Sequence, residues 1–327
     1  MQKVGRGIFQ WFAATVVCAS FSSPDAFAQN YPTKPIRLLV GFATGSGTDV
    51  VARTLAPMVL KNLGQTMVVE NRMGAGGSIA TEAVAKSPAD GYTLLMMAAA
   101  DTLQPALRPK LAYDLERDFA PVSLVASGMA ALVVHPSVPA SNLKELIALA
   151  RAHPGKLNYG TGGVGSSAHL MGELLKSMAK ANITHVPYKG SAAAAIATAG
   201  GQIEMSFPSV ASVGPLLEAK KLRAIAVTGM KRALSLPAVP TLNEAGLPGY
   251  NRTSWWGIVG PSGLSKDIIA RLHTVLGSIV ATPEIKTSLN RQGLDTQTST
   301  PEQFAALIHS ETKLNTKLIR MTGAKAE

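Results

Sequence analysis

The chain passes from an apolar run into a helix at Val40-Gly41-Phe42-Ala43-Thr44-Gly45-Ser46-Gly47-Thr48-Asp49. The run Ile36–Val40 is typical of a buried strand, and apolar residues recur at helical spacing over Val50–Leu63. A strand that turns through small residues into a helix leaves backbone N–H groups without partners at the positive end of the helix dipole. Such a turn is suited to bind an anion.

A second turn of the same kind lies far downstream, at Leu157-Asn158-Tyr159-Gly160-Thr161-Gly162-Gly163-Val164-Gly165-Ser166-Ser167-Ala168-His169. We expect the chain to bring the two turns face to face across a cleft. Hydroxyl side chains beside free N–H groups can hold an oxyanion without a cationic side chain. The alternative is that both are ordinary tight turns with helix caps, and Asp49 is predicted to cap the first helix.

The N-terminus has the pattern of a secretory signal peptide. Lys3 and Arg6 precede the apolar stretch Ile8–Phe21, which is too short to span a membrane, and Ala26-Phe27-Ala28 is a small-residue cleavage site. Residues 1–28 are therefore predicted to be removed, and the product to be exported as a soluble protein.

The single cysteine, Cys18, lies inside this segment. The mature chain is therefore predicted to have no disulfide and no thiolate metal site. Val17 is bulky for the position before a lipidated cysteine, but lipidation at Cys18 stays open as an alternative.

The basic charge is spread along the chain. The formal net charge is +11 over 327 residues, with no run of five like charges and few aromatic residues. A nucleic-acid binder usually concentrates its basic residues on one element. We therefore expect no nucleic-acid partner and favour a protein that works near anionic ligands or surfaces.

The order of elements predicts two α/β domains. Strands and helices alternate as β-α-β-α-β over 36–97, which is typical of a parallel sheet covered by helices, and a similar set follows the second turn. Ser78 and Ser141 are predicted helix caps. The chain is expected to cross between domains near Ser127–Ala130 and along Ser254–Val259.

Three predicted helices end the chain and are expected to pack back on the first domain. That domain then becomes discontinuous and is joined by two hinge segments, as in clamshell binding proteins. The predicted limits are 29–128 with 255–327 for domain 1, and 129–254 for domain 2.

Motifs for catalysis are missing from the sequence. Gly41, Gly45 and Gly47 lack the spacing of a dinucleotide fingerprint, and there is no Gly-x-Ser-x-Gly elbow. His169 is predicted to make a structural hydrogen bond, because a metal site would need more histidine or carboxylate neighbours than this stretch supplies. The sequence thus favours binding over turnover, with no cofactor, metal or catalytic residue. A secreted α/β hydrolase-like enzyme, whose activity would depend on Ser166, Ser167 or His169, remains the alternative.

Segments spread over most of the chain resemble the solute-binding receptors of tripartite tricarboxylate transporters, of the Bug or TctC type. No single segment is specific, but their order is. The segments are Tyr31–Phe42, Asp49–Arg53, Val69–Arg72, Gly74–Gly77, Asp90–Tyr92, Asp118–Val122, Asn158–Gly160, Gly165–Ser166, His169–Leu170, Val186–Gly190, Leu222–Ala224, Ala226–Thr228, Pro240–Thr241 and Glu244–Gly246.

The resemblance implies a two-domain type II periplasmic binding fold with a hinged cleft. It implies that a small organic carboxylate is held by the two turns, and that the loaded receptor, expected to be a monomer, meets transporter membrane subunits. A receptor that signals to a membrane protein instead of feeding a permease is a further alternative that the sequence does not separate.

This chain departs from the family pattern at two places. The first turn contains Thr44 and Ser46 where relatives are rich in proline and glycine, and Pro208 stands where the family often has an acidic residue. A dicarboxylate or aromatic carboxylate is therefore favoured over an amino acid, with Phe207, Trp255 or Trp256 near an apolar end of the pocket.

Tyr188 and Lys189 follow a strand and are expected to form a wall of the cleft, because α/β sheets bind ligands at the carboxyl ends of their strands. The predicted ligand-binding residues are Phe42, Ala43, Thr44, Gly45, Ser46, Thr48, Ala99, Thr161, Gly162, Val164, Gly165, Ser166, Ser167, His169, Tyr188, Lys189, Phe207 and Pro208.

Overall fold

The computed structural model describes residues 31–108 and 110–322. By its internal contacts the chain divides into Met1–Tyr31 and Pro32–Glu327, and the second unit contains all the strands and helices that follow. The predicted signal peptide, Cys18 and the cleavage site lie outside the described residues.

Strands and helices alternate along the second unit. The strands are β1 (Ile36–Val40), β2 (Met67–Asn71), β3 (Thr93–Ala98), β4 (Phe119–Gly128), β5 (Ala131–Val134), β6 (Asn158–Thr161), β7 (Thr184–Pro187), β8 (Met205–Ser206), β9 (Arg223–Val227), β10 (Ser254–Pro261) and β11 (Leu294–Thr296). The helices are α1 (Gly47–Leu63), α2 (Ser78–Ala85), α3 (Gln104–Leu107), α4 (Leu143–Ala152), α5 (Ser167–Ala179), α6 (Ser191–Ala199), α7 (Val210–Glu218), α8 (Lys266–Ala281), α9 (Pro283–Asn290) and α10 (Pro301–Thr322), with short 3-10 helices at Ala75–Gly77 and Ala99–Leu103.

The strands form two sheets, and each sheet with its helices is called a lobe here. The first lobe has the six-stranded sheet β11-β4-β10-β3-β1-β2, and the second has the five-stranded sheet β7-β6-β8-β5-β9. The predicted β-α-β-α-β unit is confirmed, because β1 pairs in parallel with both β2 and β3. The α/β class is confirmed as well.

The two sheets share one plan. In the first, the parallel strands β2, β1 and β3 are followed by β10 and β4, and β10 runs antiparallel to β3. In the second, the parallel strands β7, β6 and β8 are followed by β5 and β9, and β5 runs antiparallel to β8. The turn after β1 and the turn after β6 therefore occupy equivalent places in the two lobes.

Two segments join the lobes, and they are hydrogen-bonded to each other. The chain enters the second lobe between β4 and β5 and leaves it between β9 and β10. The N–H of Ala130 donates to Thr228 Oγ1, and the N–H of Thr228 donates to the carbonyl of Ala130, both at 3.0 Å. The N–H of Arg252 donates to the carbonyl of Thr228 at 2.8 Å.

Arg252 ties this hinge to the C-terminal helix. This residue is 4% exposed, and its side chain donates to Glu311 at 2.7 Å and to Asn315. Asn315 in turn donates to Thr102 Oγ1 at 2.7 Å. Helices α8 and α10 pack on β4, as expected for C-terminal helices that return to the first domain.

Several local expectations need correction. Ser78 is not a helix cap: Gly77 holds that position in a left-handed conformation, and the hydroxyl of Ser78 accepts from Tyr113 at 3.1 Å. Asn142, not Ser141, caps α4 through its side chain. Strand β10 lies wholly in the first sheet, so the second crossing precedes it, and the short strand β11 was not predicted.

Among the described residues, no single helix has both the length and the apolar composition to cross a membrane, although α8 and α9 meet these criteria as a pair bent by 69°. The limits of the two domains remain a prediction.

Candidate functional site

The first turn is closed by its own side chains. Gly45 has a φ of +80°, a conformation that favours glycine. Ser46 is the N-cap of α1, and its side chain accepts from the N–H of Asp49 at 3.3 Å. The carboxylate of Asp49 accepts from the N–H of Gly45 at 2.9 Å. The expected cap at Asp49 is therefore corrected to Ser46, while Asp49 satisfies the N–H of the loop.

Asp49 is a buried anion with three partners. It is 2% exposed and, besides Gly45, it accepts from Arg53 Nε and from Asn71 Nδ2, both at 2.9 Å. Burial acts to raise the pKa of Asp49, but the hydrogen bonds from Gly45, Arg53 and Asn71 outweigh it and hold the pKa below its usual value. The charge of Asp49 is thus matched within the first lobe.

Strand β10 supports the first turn through Trp256. The indole Nε1 donates to Thr48 Oγ1 at 3.0 Å, and Thr48 is 4% exposed. A Cβ at Gly47 would lie 2.8 Å from Cζ2 of the same ring, so this position requires glycine. The hydroxyl of Thr48, predicted to meet ligand, accepts its hydrogen bond from Trp256.

The second turn repeats this geometry. Gly165 also has a φ of +80°, and Ser166 is the N-cap of α5, with its side chain accepting from the N–H of His169 at 3.3 Å. The N–H of Gly165 donates to His169 Nδ1 at 3.2 Å. His169 therefore has the structural hydrogen bond that Asp49 has in the first turn.

His169 is stacked on His185. The ring centroids are 4.2 Å apart with an interplanar angle of 19°, and His185 Nε2 lies 2.6 Å from Thr161 Oγ1. Burial lowers the pKa of His169, and burial together with His169 lowers the pKa of His185 to about 4. Both rings are therefore neutral at pH 7. Thr161 is also engaged within the turn, since it accepts from the N–H of Gly163 at 3.2 Å.

Each turn still presents two N–H groups at its helix start. Among the described residues, nothing accepts a hydrogen bond from the N–H of Gly47 or Thr48 in α1, or of Ser167 or Ala168 in α5. These groups lie at the positive ends of the two helix dipoles. The arrangement can bind an anion at either turn.

The remaining predicted ligand-binding residues of the first lobe differ in solvent exposure. Ala43 and Thr44 are exposed, and Phe42 is half-buried. Ala99 is 5% exposed and begins the 3-10 helix that follows β3. Thr44 is thus the predicted hydroxyl of this turn that is most open to solvent.

In the second lobe, Gly162, Val164, Ser167 and Tyr188 are half-buried, and Lys189 is exposed. The structure brings these residues to the carboxyl ends of β6 and β7, where a cleft wall was predicted. Their contact with a ligand remains a prediction.

Of the rings expected near an apolar end of the pocket, Trp256 lies against the first turn, whereas Phe207 and Trp255 are packed in the cores of their lobes. Phe207 is 3% exposed and packs edge-on against Tyr159, with centroids 6.4 Å apart, and Pro208 is buried beside it. Trp255 packs edge-on against Phe304 at 5.5 Å. Phe207 and Trp255 are therefore core residues of their lobes, because large rings gain most from complete burial.

Two buried polar residues after β3 were missed by the sequence argument. Asp101 is 1% exposed and accepts from the N–H of Ala98 at 2.7 Å, and burial raises its pKa to about 7. Gln104, also 1% exposed, begins α3. Asp101 is three positions after the N-cap Ala98, as Asp49 is after Ser46, and an acidic residue at this position is a signal for such a closed turn. Among the described residues, no group of histidine, cysteine or acidic side chains is arranged to hold a metal ion.

The sequence matches the family model of the tripartite tricarboxylate transporter family receptor, TctC, over residues 51–324. The chain belongs to this receptor family. Protein BugT of Bordetella pertussis is 35% identical over 312 residues, which is 95% of each chain. The family is one of solute-binding receptors, so this receptor is a binding protein and not an enzyme.

Solved structures of similar sequence share the fold. Rpa4515 of R. palustris, solved with adipate, is 34% identical with a TM-score of 0.81, over 90% of this receptor and 98% of that chain. MatC of Rhodopseudomonas palustris, solved with bound malate, is 31% identical with a TM-score of 0.79, over 88% and 100%. The receptor therefore has the two-domain clamshell fold of type II periplasmic binding proteins.

Proposed function

We propose that this receptor captures a small organic carboxylate between its two turns. The observation that carries the proposal is the shared geometry of the turns. In each, the N-cap side chain accepts from the N–H three residues later, and the side chain of that later residue accepts from the glycine N–H of the loop. This leaves the first two N–H groups of α1 and α5 to a ligand. The adipate and malate bound to the similar Rpa4515 and MatC support this ligand class.

The favoured ligand is a dicarboxylate or an aromatic carboxylate. A carboxylate oxygen would accept from the N–H groups and hydroxyls at the turns, and the predicted ligand-binding residues of the two turns are retained for this role. The hydroxyl of Thr48, Phe207 and Pro208 are not, because Thr48 Oγ1 already bonds to Trp256, Phe207 packs against Tyr159 in the core, and proline has no N–H to donate. An amino-acid ligand would need an anion for its ammonium group. Pro208 supplies none, and the charge of Asp49 is already matched by Arg53.

A ligand screen tests the proposal. Malate, adipate and benzoate would be titrated by calorimetry and by thermal shift, with aspartate as the matched amino-acid control. A ligand that binds only the folded state at 100 times its Kd stabilises by about 2.7 kcal/mol, which raises Tm measurably. Folded receptor that responds to no organic anion would refute the proposal.

Delivery to transporter membrane subunits is the finer part of the proposal, with the mature receptor a periplasmic monomer. Mass spectrometry of the periplasmic fraction should find an N-terminus at Gln29. Deletion of the gene should abolish uptake of the labelled ligand, and the gene in trans should restore it. Normal uptake combined with a lost transcriptional response would instead indicate the signalling receptor.

A further inference from the structure

The segment after β3 is one of the places where the first lobe contacts the second. Leu103 and Leu107 pack in one apolar cluster with Leu170 of α5, and Leu318 of α10 completes this cluster. Gln104 lies between the two leucines in sequence and is 1% exposed. A polar side chain is thus buried at the contact between lobes.

The carboxamide of Gln104 lies between glycines of both lobes. In the first lobe, a Cβ at Gly76 would lie 2.6 Å from Gln104 Nε2. In the second, a Cβ at Gly165 would lie 3.3 Å from the same nitrogen and 3.1 Å from Leu107 Cδ1. Both glycines have positive φ, +66° and +80°. Glycine at both positions therefore leaves the room that the carboxamide fills.

The carboxamide is anchored in the first lobe. Its Oε1 accepts from Arg108 Nε at 3.2 Å, and its Nε2 donates to the carbonyl of Ala100 only at 3.4 Å. The adjacent loop continues this contact toward the first turn, since a Cβ at Gly41 would lie 2.7 Å from Gly77 Cα. The two turns are thus linked by the pairs Gly41–Gly77, Gly76–Gln104 and Gln104–Gly165.

We propose that Gln104, together with Leu107, is the stop that sets how closely the two turns approach each other. Gln104 is then a positioning residue: it determines affinity through the second turn, without touching the ligand. The inference rests on the proposed function, because the separation of the turns matters only for a ligand that both hold. Stops of this kind act in the closed state, where hinge motion brings the lobes together.

The chain offers a matched pair of substitutions. Gly45 and Gly165 hold the same position in the two turns with the same φ of +80°, but a Cβ at Gly45 meets nothing within 4 Å. Gly45→Ala and Gly165→Ala therefore carry similar backbone strain, and only Gly165→Ala adds a methyl group against the stop. We expect Gly165→Ala to raise the Kd for malate and adipate at least tenfold more than Gly45→Ala does.

Truncation of Gln104 should restore part of the affinity that Gly165→Ala loses. In the double variant Gly165→Ala with Gln104→Ala, the methyl group gains room, and the Kd should fall at least fivefold below that of Gly165→Ala alone. Gln104→Ala should give no rescue in combination with Gly45→Ala. A residue that only supports the fold would lower Tm in every background but would not restore affinity.

Measurements without ligand separate this inference from the proposed function. The double-mutant cycle of Gln104→Ala and Gly165→Ala on the Tm of the ligand-free receptor should show coupling, whereas the cycle with Gly45→Ala should show none. Wild-type receptor that binds neither probe would refute the proposed ligand class, while this cycle would still test the contact. The proposed role of Gln104 as a stop would be refuted by any of three results: additive effects on Tm in the cycle with Gly165→Ala, equal rises in Kd for Gly45→Ala and Gly165→Ala, or no rescue of affinity by Gln104→Ala.

Discussion

The two turns have the same backbone and differ in the group that closes them. Gly45 and Gly165 share a φ of +80°, and Ser46 and Ser166 cap their helices in the same way. The acceptor for the glycine N–H is a carboxylate in the first turn and an imidazole nitrogen in the second. Small residues therefore set the geometry of the turn, and either kind of acceptor can complete it.

The difference between the acceptors is one of charge. The first turn holds an anion paired with Arg53, whereas the second holds a neutral ring stacked on His185. A carboxylate at pH 7 keeps its role as an acceptor over a wide range, but an imidazole nitrogen that gains a proton no longer accepts. The comparison predicts that the second turn is the first to weaken in acid.

The largest expected effect is therefore a loss of folding stability as the pH falls below neutrality. Unfolded histidine has a pKa of about 6.5, and the pKa of His185 in the fold is about 4. Above about pH 6.5 both states are neutral; below it the unfolded state binds a proton that the folded state does not. Stability is therefore lost as pH falls from about 6.5 to about 4, by at most about 3 kcal/mol, because solvent screens the partly buried ring.

The variant His185→Gln tests this loss of stability, because glutamine does not titrate. Urea unfolding of both proteins from pH 7 to pH 4 should show the wild type losing stability relative to the variant. The groups facing His185 are His169, Glu173, Lys176 and Tyr159. Parallel curves would contradict the prediction.

The pH dependence of wild-type stability does not test the histidine prediction by itself, because Asp101 changes stability with pH in the opposite direction. Its pKa is raised to about 7, so the folded state keeps a proton that the unfolded carboxyl releases above about pH 3.9. Stability from Asp101 is thus lost as pH rises from about 4 to about 7. Asp101→Asn removes this pH dependence, so that the loss of stability in acid caused by the histidines can be measured.

Removal of the carboxylate that closes the first turn is expected to have the next largest effect. Asp49→Ala takes the acceptor from the N–H of Gly45 and from Asn71 and Arg53. Hydrogen bonds to a charged group contribute about 1.5–3 kcal/mol, so we expect a loss of about 2–3 kcal/mol in the free energy of urea unfolding. Asp49→Asn keeps an acceptor oxygen and is the matched control. Equal losses in the two variants would mean that the hydrogen bonds of the turn contribute little.

The sequence was sufficient to predict the fold where local patterns decide it. Alternating apolar runs and helical periods predicted β1, α1 and α5, and the glycine after α1 is its C-cap with a φ of 71°. Short-range capping was predicted less well. Ser, Asp and Asn all favour helix starts, so the choice between Ser46 and Asp49 depended on backbone angles that composition does not give.

The candidate site was predicted only in its backbone part. The turns are visible because glycine and small hydroxyl residues recur there, but Phe207 and Trp255 pack in cores, since burial of a ring depends on neighbours distant in sequence. Gln104 was missed for the same reason. Its role depends on Gly76 and Gly165, which lie 28 residues before and 61 residues after it, in different lobes.

The N-caps offer a smaller test of the likeness between the turns. Ser46→Ala and Ser166→Ala each remove one acceptor for the N–H three residues later. Such a loss costs about 1 kcal/mol, and the two variants should be destabilised equally in urea. Ser167→Ala, one position further into α5, is the control and should change stability less. If the two variants lose clearly different amounts of stability, the residue three positions after the cap, Asp49 or His169, changes how much the cap contributes.

The smallest effect on stability is expected at Thr44, and it contrasts with Thr48 in the same turn. Thr44 is exposed, and no described residue bonds to its hydroxyl, so Thr44→Ala should leave the free energy of unfolding within about 0.5 kcal/mol. Thr48 accepts from the buried Trp256, so Thr48→Val should cost about 1–2 kcal/mol.

Binding should rank the two residues in the opposite order. A hydroxyl that is open to the cleft can donate to a carboxylate, and loss of such a bond costs about 1 kcal/mol, or about fivefold in Kd. Calorimetry with malate should therefore show weaker binding for Thr44→Ala, and Thr48→Val should bind malate within about twofold of wild type once folded. If the two variants weaken binding alike, Thr44 has no contact of its own with the ligand.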